Sequence, residues 1–115
     1  MKGMQALSVL DIAQLENVTM NDTALMREVV GALLSDAARQ IESLQKALDL
    51  YDTRECKRLA HGLVGACGNV GAVSLAAVSS SLEEYAAAGD VEQCRSSVER
   101  LSLEVERLRD VAVSL

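Results

Sequence analysis

The 115-residue chain has no proline, no phenylalanine and no tryptophan, and its only aromatic residues are Tyr51 and Tyr85. Without proline nothing is obliged to break a helix, and with so few aromatic rings the core must be aliphatic. The longest apolar runs are a few residues, far below the roughly 20 that span a bilayer. Met1-Lys2-Gly3-Met4 opens without the apolar stretch of a secretory leader. A cytoplasmic location without membrane contact is expected. Cys56, Cys67 and Cys94 are odd in number and lack C-x-x-C spacing, so neither a disulfide framework nor a zinc site is suggested. Three buried small hydrophobes are the plainer reading. Positive charge is scarce too, with 11 Lys and Arg against 17 Asp and Glu and a net charge of −6, which argues against nucleic acid as a partner. There is no G-x-x-x-x-G-K-[ST] loop and no paired metal-binding carboxylates, so no means of binding ATP is visible.

What is present is alanine, leucine, glutamate and arginine, the composition of an all-helical domain. The chain length allows one domain over 1–115, with residues 1–7 frayed. Ser8 is placed as the cap of a short helix carrying Val9, Ile12 and Leu15. Asn21 or Asp22 caps a long second helix with an apolar ladder at Leu25, Val29, Leu33, Ala37, Ile41, Leu44 and Leu48. Asp52 or Thr53 opens a third helix that must stop near Gly71, which can adopt the left-handed cap. A fourth, from about Val73 to Ala88, presents Leu75, Val78, Leu82 and Tyr85. In the fifth, Val91, Cys94, Val98, Leu101, Val105, Leu108, Ala112 and Leu115 alternate steps of three and four. That seam suits either a coiled-coil dimer or a bundle. The fold expected is all-α, an antiparallel four-helix bundle over about 21–115 with the short N-terminal helix covering one end, and the chain a monomer. Leu59, Leu63, Val70, Leu82, Val98, Leu101 and Val105 should be buried.

The only histidine, His61, lies within Leu59-Ala60-His61-Gly62-Leu63-Val64-Gly65-Ala66-Cys67-Gly68-Asn69-Val70-Gly71-Ala72. At about 100° per residue, Leu59, Leu63, Ala66 and Val70 fall opposite the imidazole. Arg54, Lys57 and Arg58 gather on its own side from the preceding turns, and Gly65 and Gly68 from the following ones. Glycines inside a helix cost about 1 kcal/mol each against alanine. They serve either close helix packing or access of a partner to the imidazole, and their distance from the leucine stripe favours access. Cys56 and Cys67 point well away from His61, so no metal site is expected. A neutral imidazole, with an unperturbed pKa of about 6.5, is a nucleophile near pH 7.

Ala60-His61-Gly62-Leu63, then Gly65, then Gly68-Asn69-Val70-Gly71-Ala72 resembles the signature of the histidine-containing phosphotransfer (HPt) domain, A-H-x-L-K-G-x-x-x-N-[LV]-G-A. Leu10-Asp11, the run from Asn21 to Leu50, Leu82-Glu83-Glu84 and Gly89-Asp90 are also similar to family positions. The resemblance implies a phosphorelay carrier that accepts a phosphoryl group on His61 from a receiver-domain phosphoaspartate and passes it to another receiver. The donor would be a hybrid sensor kinase and the acceptor a response regulator. The carrier would have no kinase activity and no cofactor of its own, with Mg²⁺ supplied by the receiver. Val64 stands where the family has lysine, so Lys57 is expected to take over charge screening, with Arg58 and Arg54 secondary and Val64, Gly65 and Gly68 meeting the partner. The alternative is a bundle that docks a receiver or other signalling protein without carrying phosphate; His61→Gln separates the two. Met1 followed by a complete domain leans towards a free-standing protein.

Overall fold

Four of the five helices among the described residues begin at an aspartate that caps them. The computed structural model describes residues 9–115; the expected fraying of residues 1–7 and the Ser8 cap lie outside the described residues. Helix α1 (Ile12–Val18) is capped by Asp11, whose carboxylate accepts from the Gln14 N–H at 3.1 Å. Asp22 does the same for α2 (Thr23–Asp49), Asp52 for α3 (Thr53–Val70) and Asp90 for α5 (Val91–Ala112), at 3.0 to 3.1 Å. Only α4 (Val73–Ala87) starts without a side-chain cap, at Ala72. The expected single helix carrying Val9, Ile12 and Leu15 is interrupted: Val9 is helical, but Leu10 and Asp11 separate it from α1, and Val9 and Leu10 are buried.

Helices α2 to α5 form a closed ring of antiparallel contacts, α2 on α3, α3 on α4, α4 on α5 and α5 back on α2. The 27-residue α2, about 40 Å at 1.5 Å per residue, spans the 42 Å long axis of the molecule. The α5 seam of Cys94, Val98, Leu101, Val105 and Leu108 is buried inside this ring, so the chain's own helices occupy it.

Three faces differ from expectation. In α2 the first two rungs are Met26 and Val30, with Leu25 exposed and Val29 half-buried. Leu25-Met26, Val29-Val30 and Leu33-Leu34 are adjacent apolar pairs, so spacing alone leaves the phase of the stripe open, and contact with α3 and α5 sets it. Ile41 is half-buried. In α3 the buried side chains are Cys56, Leu59, Ala60, Leu63 and Cys67, whereas Ala66 and Val70 are half-buried. The stripe is rotated by about 50° because α3 packs more extensively on α4 than on α2. In α4 Tyr85 is 37% exposed; Ser79 and Ala86 are buried with Leu75, Val78 and Leu82. Ser79 is tolerated inside because its hydroxyl donates to the Leu75 carbonyl at 2.8 Å.

The α3–α4 turn is two residues long, and α1 fastens it. Gly71 has φ +86°, the left-handed region in which a Cβ is costly. Its carbonyl accepts from the Asp11 N–H at 2.7 Å, while the Gln14 side-chain amide donates to the Gly68 carbonyl. A Cβ on Gly71 would lie 2.9 Å from the Asp11 carbonyl oxygen. The short helix thus covers the C-terminal end of α3. Among the described residues no helix is long and apolar enough to cross a membrane.

Candidate functional site

His61 is midway along α3, where the macrodipole has little effect, since it fades within a turn of either end. Its side chain is 78% exposed. Helical side chains lean towards the N-terminus, so the imidazole stands over the turn that carries Lys57 and Arg58 and leaves the C-terminal side open. There Gly62, Gly65 and Gly68 are exposed, and a Cβ on any of them would meet nothing within 4 Å. Close helix packing does not explain these glycines. They form a low shelf beside the ring.

The decisive contact comes from the neighbouring helix. Glu83 of α4 reaches across so that its Oε2 lies 2.9 Å from His61 Nδ1. An ionised carboxylate only accepts hydrogen bonds, so this partner selects the tautomer with the proton on Nδ1. The Nε2 lone pair is then directed away from α4. Glu83 is 26% exposed, which makes it the shielded member of the pair.

The cations divide into two groups. Arg58 is held by Glu55, with Nε to Oε1 at 2.6 Å and Nη2 to Oε2 at 2.8 Å. The guanidinium bonds push the Glu55 carboxyl below the usual range, and Glu55 in turn raises Arg58. Lys57 and Arg54 are exposed and pair with no carboxylate among the described residues. Val64, expected to be an exposed apolar contact, is half-buried on the flank of α3 that faces α4. The three cysteines are buried, and desolvation pushes Cys56 up to about 11 and Cys67 to about 12. Among the described residues no group of His, Cys, Asp and Glu side chains could hold a metal ion.

Of the residues singled out in the sequence, His61, Lys57, Arg54, Gly65 and Gly68 share one exposed face, Arg58 is on its edge but engaged, and Val64 is turned partly inward. Glu83 received no role from the sequence. The available signal was the hairpin: His61 lies ten residues before Gly71 and Glu83 twelve after it, so helices folding back at that glycine bring the two side by side.

A family model described as Hpt domain matches residues 28–111. Among solved structures, the crystal structure of histidine-containing phosphotransfer protein B (HptB) from Pseudomonas aeruginosa PAO1 is similar over 92% of each chain, with a TM-score of 0.84 and 24% identity. At that identity the likeness is one of fold. No curated protein matches the chain.

Proposed function

The chain belongs to the Hpt domain family, the phosphotransfer carriers of phosphorelays, and from that premise we propose that His61 is the residue that carries the phosphoryl group. The observation behind this reading is the Glu83 contact: Nδ1 is engaged at 2.9 Å, and the free Nε2 projects from a ring that is 78% exposed. Nε2 attacks the phosphorus of a receiver's phosphoaspartate. The N–P bond forms as the P–O bond to the aspartyl carboxylate breaks, and that carboxylate departs with the electron pair. The ring gains positive charge as its lone pair is used, and the Glu83 carboxylate balances it while keeping the Nδ1 proton. Transfer to the next receiver reverses each of these steps.

Lys57 is the cation assigned to the phosphoryl oxygens, because Arg58 would first have to leave Glu55. Gly65 and Gly68 provide the low shelf over which the receiver approaches. The partners are the receiver domains of a hybrid sensor kinase and of a response regulator. Mg²⁺ belongs to the receiver, and the carrier, a cytoplasmic monomer, has no kinase activity of its own. The test mixes the protein with receiver domains labelled on aspartate. Wild type should take up label in acid-labile, alkali-stable form and His61→Gln none, although it still binds the receiver. Label on His61→Gln would overturn the assignment.

A further inference from the structure

On the other flank of α4 the sequence contains two serine runs that phosphotransfer does not use, Ser79-Ser80-Ser81 and Ser96-Ser97. The antiparallel packing of α4 on α5 sets them against each other, and their small side chains leave a cleft of about 140 Å³. Its polar lining is Ser81 and Tyr85 from α4 with Gln93, Ser96, Ser97 and Arg100 from α5. None of these six side chains makes a hydrogen bond or ion pair among the described residues.

Ser97 is the telling member. Among the described residues, Thr19, Ser79 and Ser97 are the buried polar ones, at 1%, 0% and 5% exposure. Thr19 and Ser79 each return their hydroxyl to the carbonyl four residues earlier, at 2.7 and 2.8 Å. Ser97 does not, and its hydroxyl is left for whatever occupies the cleft. That hydroxyl is not sealed in, since the fully enclosed side-chain polar atom without a partner among the described residues is Glu104 Oε2; Ser97 Oγ opens onto the cleft, where an occupant can meet it. The other lining hydroxyls and the Gln93 amide can donate as well as accept, and the one formal charge among the lining groups is the unpaired Arg100 guanidinium, which only donates. No carboxylate lines the cleft.

We propose that this cleft binds a small oxyanion, held by the Arg100 guanidinium and the hydroxyls of Ser97 and its neighbours. A broad acidic surface is disfavoured, because Glu84, Glu92 and Glu99 are exposed next to the lining residues on the same helices. A single ion enters between them. The shared chemistry is a phosphate or a carboxylate, and two titrations distinguish them.

The ¹⁵N-labelled full chain is titrated with inorganic phosphate and, separately, with acetate, each against sodium chloride at matched ionic strength. Saturable amide shifts confined to residues 77–85 and 93–100 are expected with at least one of the two anions. Arg100→Gln should raise the half-saturation concentration about tenfold or more, as for loss of a charged hydrogen-bond donor. Ser97→Ala should raise it by less. Three results would overturn the proposal: silence with both anions, unsaturable shifts spread over lysines and arginines elsewhere, or an unchanged midpoint in Arg100→Gln. The readout does not involve His61, so it stands or falls apart from the phosphotransfer reading.

Discussion

Glu83→Ala removes the side-chain contact that fixes the orientation of His61. In the native pair the acceptor is a carboxylate 2.9 Å from Nδ1, and hydrogen bonds to charged groups are worth about 1.5–3 kcal/mol. The ring is 78% and Glu83 26% exposed, so solvent competes and about 1–2 kcal/mol is the reasonable share. At 1.36 kcal/mol per tenfold, that slows transfer by about 5- to 30-fold. Two effects contribute: the Nδ1–H tautomer loses its preference, and the charge developing on the ring loses its counter-charge. Glu83→Gln keeps an acceptor oxygen but not the charge. Neutral hydrogen bonds are about half as strong, so its rate should fall only about two- to fivefold. The assay is single-turnover transfer from a phosphorylated receiver at saturating carrier, with receiver affinity measured in parallel. Glu83 sits at the rim, so the alanine variant should melt within a few degrees of wild type. Transfer by Glu83→Ala within twofold of wild type, with affinity unchanged, would refute the tautomer argument.

Lys57→Ala should slow phosphoryl transfer about two- to fivefold, the range of an exposed charge contact, and more than Arg58→Ala does, because Arg58 is already bound to Glu55. Val64→Lys should partly restore the rate in the Lys57→Ala background; equal time courses for wild type and Lys57→Ala would show that the receiver provides the neutralising charge. Gly65→Leu, where a Cβ meets nothing within 4 Å, should leave thermal stability nearly unchanged and weaken receiver binding by titration calorimetry. Gly71→Ala should cost about 2–4 kcal/mol in urea denaturation, combining left-handed strain with the clash 2.9 Å from the Asp11 carbonyl. The cysteines should resist a thiol reagent at pH 8 until the chain is unfolded. Burial raises their folded pKa above the ordinary thiol value of 9.0, to about 11 for Cys56, so the thiols hold their protons longer in the native state; this stabilisation is present below pH 9 and declines from there towards pH 11, as a series of denaturation curves would show.

How much could be read from sequence depended on whether the information lay within one helix or between two. The caps at Asp22 and Asp52, each one of two adjacent candidates, and the stop at Gly71 are local chemistry, and each falls where the residue type allows it. The exposed face of α3 was also legible, since His61, Lys57, Arg54 and the glycines share one helix and a fixed rotation relates them. The burial phases of α2 and α3 were not. Adjacent apolar pairs such as Leu25-Met26 permit two stripes, and the neighbouring helices choose between them. Tyr85 was misplaced for a related reason: an amphipathic ring satisfies the apolar spacing of α4 equally well at the rim of the core.

Glu83 shows the same divide within the candidate site. As one of two consecutive glutamates on a helix it looks like solvated surface, and its role arises only when Gly71 folds α4 back along α3. The left-handed turn, fastened by Asp11 and Gln14 of the first helix, sets the register that brings carboxylate and imidazole to 2.9 Å. Slipping that register by one residue would carry Glu83 about 100° around α4 and out of reach of Nδ1. The residues that set the site's geometry therefore include Gly71, the Asp11 backbone and the Gln14 side chain, none of which need touch phosphate. On this reasoning, loosening the turn through Gln14→Ala should slow transfer in the same sense as Glu83→Ala, though by less, and combining the two should add little. A double-mutant cycle on transfer rate measures that coupling; strictly additive effects would mean that the turn and the ring act independently.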